Sequence, residues 1–259
     1  MLSASLYFLA IVLVPILVFA ALERIPALQR QRSPFLRPYM GTDLLYLGSN
    51  VAADLLFSPK VLVFLFSLEF MFGWEKPFRL HWSLQLLLSL LLFDLALTLA
   101  HVLHHRVPLF WKFHKAHHSI LMLDAFSSFR RSPLEAVSQA VLMMVRFLIL
   151  CFVVSDPKVG VVTLVIFTCW GAFIHSNLKL PLSEKNLGLV TKVFVTPEVH
   201  HLHHTQQAGK NFATMFTFWD RLMGSYAAPT AERREYGIPG ERSYPQTFFA
   251  QLAEPFRER

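Results

Sequence analysis

The chain has 259 residues, 54% of them hydrophobic, with 25 phenylalanines and 24 Lys and Arg against 17 Asp and Glu. Its mean hydropathy of +0.44 excludes an ordinary soluble domain and predicts an all-α fold, a multi-pass membrane helical bundle. The formal charge of +7 sits in clusters between apolar segments, as cytoplasmic loops do. That placement excludes nucleic acid as a partner and makes anionic lipid headgroups the counter-charge. Cys151 and Cys169 both fall in apolar segments, which excludes a disulfide framework or a zinc knuckle.

Leu2 to Leu22 is the length of one span, with Pro15 as a tolerated kink, and reads as an uncleaved first helix rather than a signal peptide. The following loop carries Arg24, Arg30, Arg32 and Arg37 against Glu23, which places it in the cytoplasm. Asp43 to Gly73 is apolar but longer than a span needs. Pro59 splits it into a kinked crossing or into a re-entrant helix plus a crossing. Trp74 to Trp82 forms a short external segment. Ser83 to His105 is the third span, and it ends in histidines.

Leu134 to Val154 and Val159 to His175 form an apolar hairpin turned by Ser155, Asp156, Pro157 and Lys158. From Ser176 to Arg259 the chain is mixed and proline-punctuated, a cytoplasmic cap completing a site at the membrane surface. The whole chain is thus expected to be a single integral-membrane domain. Inside the apolar segments lie three charged residues, Glu69, Asp94 and Arg146.

Of 12 histidines, only His81 stands apart. The topology puts the others on one side of the bilayer. On a helix His101 and His105 lie one turn apart. His114, His117 and His118 stand at i, i+3 and i+4, as do His200, His203 and His204, so each trio spans about 100° of arc and can grip a pair of metals. With His175 at the end of the hairpin, nine spaced histidines imply two metals. His104 and His201 adjoin these positions as supporting donors or surface residues. Imidazole suits zinc, copper and iron alike, so spacing does not choose the metal.

His101-x3-His105, L-F-W-K-F-H-K-A-H-H-S from Leu109, T-P-E-V-H-H-L-H-H-T from Thr196, Asn211 and W-D-R-L-M-G-S-Y from Trp219 resemble the fatty acid hydroxylase and sterol desaturase superfamily. The resemblance implies a membrane di-iron oxygenase acting on a sterol, fatty acyl, isoprenoid or ether lipid. It also implies that the nine spaced histidines are the metal ligands, holding two iron ions, with zinc possible in a purified protein. The chain departs from the family pattern at Thr98 and Leu99, at Val102, and at Ser132 within R-R-S-P-L-E, Arg130 to Glu135.

Asp94 shares a helical stripe with Thr98, His101 and His105, and an intramembrane carboxylate is a functional candidate. It is expected to orient a ligand histidine of a neighbouring helix. Trp111, Phe113, Phe126 and Phe129 are candidates for an apolar substrate lining. No flavin motif, cysteine cluster or haem-type sequence is present, so an oxygenase needs an external electron donor, a separate reductase. Two other classes stand beside it. One is a di-zinc lipid hydrolase with Glu198 as base; the other is a non-catalytic metal-binding or transport protein. The expected location is the inner membrane of a bacterium or the endoplasmic reticulum of a eukaryote.

Overall fold

The computed structural model describes residues 2–34, 36–53, 55, 80–135, 139, 154, 156–205, 209–229, 235–241 and 243–257. These residues are all-helical, with β pairing limited to isolated bridges such as Gln29 with Leu178. The helices are α1 (Leu2–Leu22), α2 (40–53), α3 (Trp82–Arg106), α4 (Pro108–His118), α5 (Pro157–His175), α6 (Glu184–Val190), α7 (Pro197–His203), α8 (Phe218–Leu222) and α9 (Phe248–Ala253). Two of them, Trp82–Arg106 and Lys158–His175, are long and apolar enough to cross a membrane. The second half of the 43–73 segment, with Pro59 and Glu69, the Trp74 segment, and most of 134–154, with Arg146 and Cys151, lie outside the described residues.

Helix α5 packs between α1 and α3. On α1 the buried residues Val12, Ile16 and Ala20 recur every fourth position and meet Ala125, Phe126 and Phe129. Its other face, Val14, Leu17 and Val18, is exposed. Between α3 and α5 the contact is small and polar at one level, Ser89 Oγ to Thr163 Oγ1 at 2.9 Å, and aromatic at the next, where Phe93 stacks on Phe167 at 4.3 Å. Small hydroxyls let helices approach closely where lipid offers no hydrophobic drive.

The corner between α3 and α4 decides where the histidines meet. Pro108 has no amide to continue α3 and forces Val107 into an extended conformation, so the chain turns and α4 packs back on α3. Proline at the first position also starts α5 and α7. After Ser176 the chain does not stay above the helices. Asp94, midway along α3, accepts the amides of Met215 and Phe216, and Phe194 lies 5.6 Å from Trp170 of α5.

Candidate metal centre

The last turn of α3, the body of α4, the end of α5 and all of α7 converge. They bring nine histidines into two groups, and within each group the ring nitrogens lie within 4.8 Å of one another. His101, His105, His114, His118 and His203 form one; His117, His175, His200 and His204 form the other. Each i, i+3, i+4 trio is divided between the groups, because residues four apart share a helix face and the third looks to its side.

Most rings are oriented by an oxygen behind them. His101 Nδ1 donates to Phe212 O and His203 Nδ1 to Lys210 O, each at 2.8 Å. His175 Nδ1 donates to Gly171 O at 2.8 Å and His117 Nδ1 to Arg130 O at 3.2 Å. His114 Nδ1 bonds Glu135 Oε1 at 3.0 Å. A carbonyl can only accept, so the four carbonyl contacts fix the Nδ1-H tautomer of His101, His117, His175 and His203 and leave the Nε2 lone pair pointing inward. The buried Nε2 atoms of His101, His105, His114 and His203 indeed have no hydrogen-bond partner.

In the four-histidine group that geometry creates a conflict that a bound cation removes. His117 and His175 both present Nε2 lone pairs, yet these atoms lie 3.3 Å apart. Nε2 of His175 is also 3.0 Å from that of His200, which is 3.1 Å from that of His204. Protonation is not the remedy. Burial first, and then the neighbouring rings, push His114, His117, His118, His200 and His204 well below the ordinary histidine range, and burial pushes His203 down to about 4. A tetrahedral ion bound at about 2.0–2.1 Å sets its imidazole nitrogens about 3.3 Å apart. The donor set therefore fits a metal.

Several expectations need correction. The Asp94 carboxylate meets no histidine; it holds the Met215 and Phe216 amides at 2.9 and 2.8 Å. His104 and His201, left open between supporting donors and surface residues, are both buried. His104 Nδ1 donates to Ala100 O, while His201 Nε2 donates to His175 O at 3.3 Å and its Nδ1 accepts from Tyr236. His81 caps the start of α3. Phe126 and Phe129 pack against α1 and line no part of the site, and Phe113 faces Phe256. Trp111 does reach the site, with its ring 5.1 Å from His105 and 5.4 Å from His118. Glu198 pairs with Arg30 at 3.7 Å. Ser132 is buried and accepts the Leu134 amide.

Sequence reasoning missed the supports. Glu135 stood in a quoted motif without a role, and Asp220 likewise; the carbonyls of Phe212, Lys210, Arg130 and Gly171 carry no residue-type signal at all.

The fold and the site define a protein, all-helical among the described residues, whose histidines gather into two adjacent groups that could each hold a metal ion. Comparison with known proteins makes the assignment specific. A family model described as fatty acid hydroxylase matches residues 86–225, more than half of the chain, and the chain belongs to that family. It is 26% identical over 186 residues to ornithine lipid hydroxylase of Rhizobium tropici, covering 68% of this chain and 52% of that protein. It is 31% identical over 163 residues to cholesterol 25-hydroxylase of Homo sapiens, covering 62% and 57%. It is 26% identical over 158 residues to a Delta(7)-sterol 5(6)-desaturase of Aspergillus fumigatus, covering 61% and 43%. The chain thus spans about half the length of the curated relatives it matches. No solved structure shows a significant match.

Proposed function

We propose that the chain is a membrane-bound di-iron oxygenase that hydroxylates or desaturates a lipid with dioxygen and electrons from a separate reductase. The observation that carries this reading is the convergence of nine imidazoles, seven of them buried and two half-buried, into two adjacent groups whose facing nitrogens lie within 4.8 Å of one another. The names of the relatives, hydroxylases and a desaturase, supply the reaction class. Two iron ions held by these rings would supply the dioxygen-reducing chemistry. Hydroxylation inserts one oxygen atom into a C–H bond and releases the other as water, consuming two electrons and two protons. Desaturation removes two hydrogens and releases two waters for the same input.

The residues of the chain do the rest. Buried walls exclude water, the carbonyls and Glu135 hold the rings, and Trp111 with Phe212 gives the five-histidine group an aromatic flank against which an apolar chain can lie. The substrate class is a sterol, fatty acyl, isoprenoid or ether lipid entering from the bilayer. The arginines from Arg24 to Arg37 support a cytoplasmic side for the histidines.

Metal analysis combined with oxygen uptake under a reductant tests the proposal. Iron near two per chain and lipid-dependent oxygen uptake are expected, together with a new oxidised lipid in cells expressing the protein but not its His117→Ala variant. Tightly bound zinc with oxygen-independent turnover would overturn it in favour of a hydrolase.

A further inference from the structure

Two histidines of the five-membered group are held by one short loop. Lys210 O accepts a hydrogen bond from His203 Nδ1 and Phe212 O one from His101 Nδ1, each at 2.8 Å. The residue between them, Asn211, has φ +56°, a left-handed conformation that asparagine tolerates better than most residues. Its side chain is fully engaged. Nδ2 donates to Val199 O at 3.2 Å and Ala227 O at 3.0 Å, and Oδ1 accepts from the Ala227 amide at 2.7 Å.

Just beyond, two carboxylates spend their oxygens on the backbone of the same loop. Asp220, on α8, accepts the amides of Phe212 at 2.7 Å and Ala213 at 2.9 Å, and the Ser225 hydroxyl at 2.7 Å. Asp94, on α3, accepts those of Met215 and Phe216. All three residues are fully buried. A charged acceptor bonding backbone amides is a strong and directional anchor. Asp94 is also on the helix that carries His101 and His105, so it ties the loop to the helix whose ligand the loop must meet.

We propose that Asp94, Asn211 and Asp220 form a clamp that sets the Lys210 and Phe212 carbonyls and so orients His203 and His101, making them positioning residues for the five-histidine metal and not for the four-histidine one. The proposal rests on the two-metal reading above. It extends it by dividing the supports between the two ions. Loss of a partner that orients a metal-ligating histidine costs about 10- to 100-fold in metal affinity.

The test is a cobalt(II) titration of the full chain in detergent with a competing chelator, for the unaltered protein and for Asp220→Asn, Asp94→Asn and Asn211→Gly. Each substitution is expected to weaken one ion by about 10- to 100-fold and leave the other unchanged. Asp220→Asn should weaken the ion that remains in a His117→Ala background and have no effect on the ion that remains in a His105→Ala background. Equal weakening of both ions would mean a general folding role and overturn the clamp, as would unchanged binding of both. Should Asp220→Asn fail to fold, Ser225→Ala, which removes the hydroxyl that lies 2.7 Å from Asp220 Oδ1 and 3.3 Å from Asp220 O, carries the same test with a smaller loss. An unaltered protein that binds fewer than two ions overturns the two-metal reading itself, a result distinct from failure of the clamp.

Discussion

The two histidine groups are built from overlapping helices but differ in how closed and how charged their surroundings are. In the four-histidine group all rings are buried, whereas His101 and His105 of the five-histidine group are only partly so. The four-histidine group also lies against a chain of buried charges. Arg37 bridges Asp43 and Asp124, Arg130 bonds the other oxygen of Asp43, and the Arg130 carbonyl receives His117. The five-histidine group is held by a loop, by Glu135 and by the Trp111 ring. The closed group is thus joined to a buried charge network, and the open one is partly exposed at His101 and His105.

The largest expected effect comes from the closed group. His117→Ala removes a ring whose Nε2 faces that of His175, and should lower metal content by about half and bring lipid product to background. Elemental analysis of the purified variant checks it, and retention of the full metal content would break the assignment of His117 to a distinct ion.

Next is the charge chain. Asp43→Asn leaves Arg37 and Arg130 sharing a neutral amide in a buried setting, and breaking a buried pair costs about 3–5 kcal/mol. Unfolding in detergent should show that loss, with metal release from the four-histidine group first. Stability within about 1 kcal/mol of the unaltered protein would show that water reaches the network and that the group is less closed than its geometry implies.

The histidines were legible because the spacing that puts side chains on one helix face is also the spacing a metal needs, so His114, His117 and His118 announce themselves without a fold. The charge chain was not. Asp43 and Arg130 are 87 residues apart, and nothing in a single chain pairs one arginine with one aspartate at that distance. Asp94 stands out in the sequence because an intramembrane carboxylate is costly, but its partners could not be read there: they are backbone amides 121 and 122 residues away. The Phe212 and Lys210 carbonyls belong to every residue alike, and only a fold can select them. The boundary of α3 was readable at Pro108, because proline acts through local sterics.

A pH prediction concerns the closed side. Glu23, at the end of α1, accepts the amides of Ala125 and of Asn177, two residues past His175. Burial, reinforced by the charge of Asp124, pushes its carboxyl up from 4.5 to about 7. Between those values the unfolded chain has released the proton while the folded chain keeps it, so stability falls as pH rises from about 4.5 to 7 and is level above. The contribution is about 3 kcal/mol over the window. Glu23→Gln should flatten that slope in unfolding curves collected between about pH 5 and 7; an unchanged slope would place the titrating group elsewhere.

The smallest effect sharpens the comparison most, because it separates charge from geometry on the open side. His114 Nδ1 faces a carboxylate, Glu135 Oε1 at 3.0 Å, where His101, His117, His175 and His203 face neutral carbonyls. A carboxylate both aims the ring and makes its other nitrogen a stronger donor. Glu135→Gln keeps an oxygen in place without the charge, and Glu135→Ala removes both. If charge matters beyond aim, Gln should weaken the five-histidine ion by about 10-fold and Ala by about 100-fold, with the four-histidine ion untouched in both. If Gln binds like the unaltered protein while Ala does not, the acceptor serves by position alone and works as the carbonyls of Phe212 and Lys210 do. The difference between the groups would then reduce to burial.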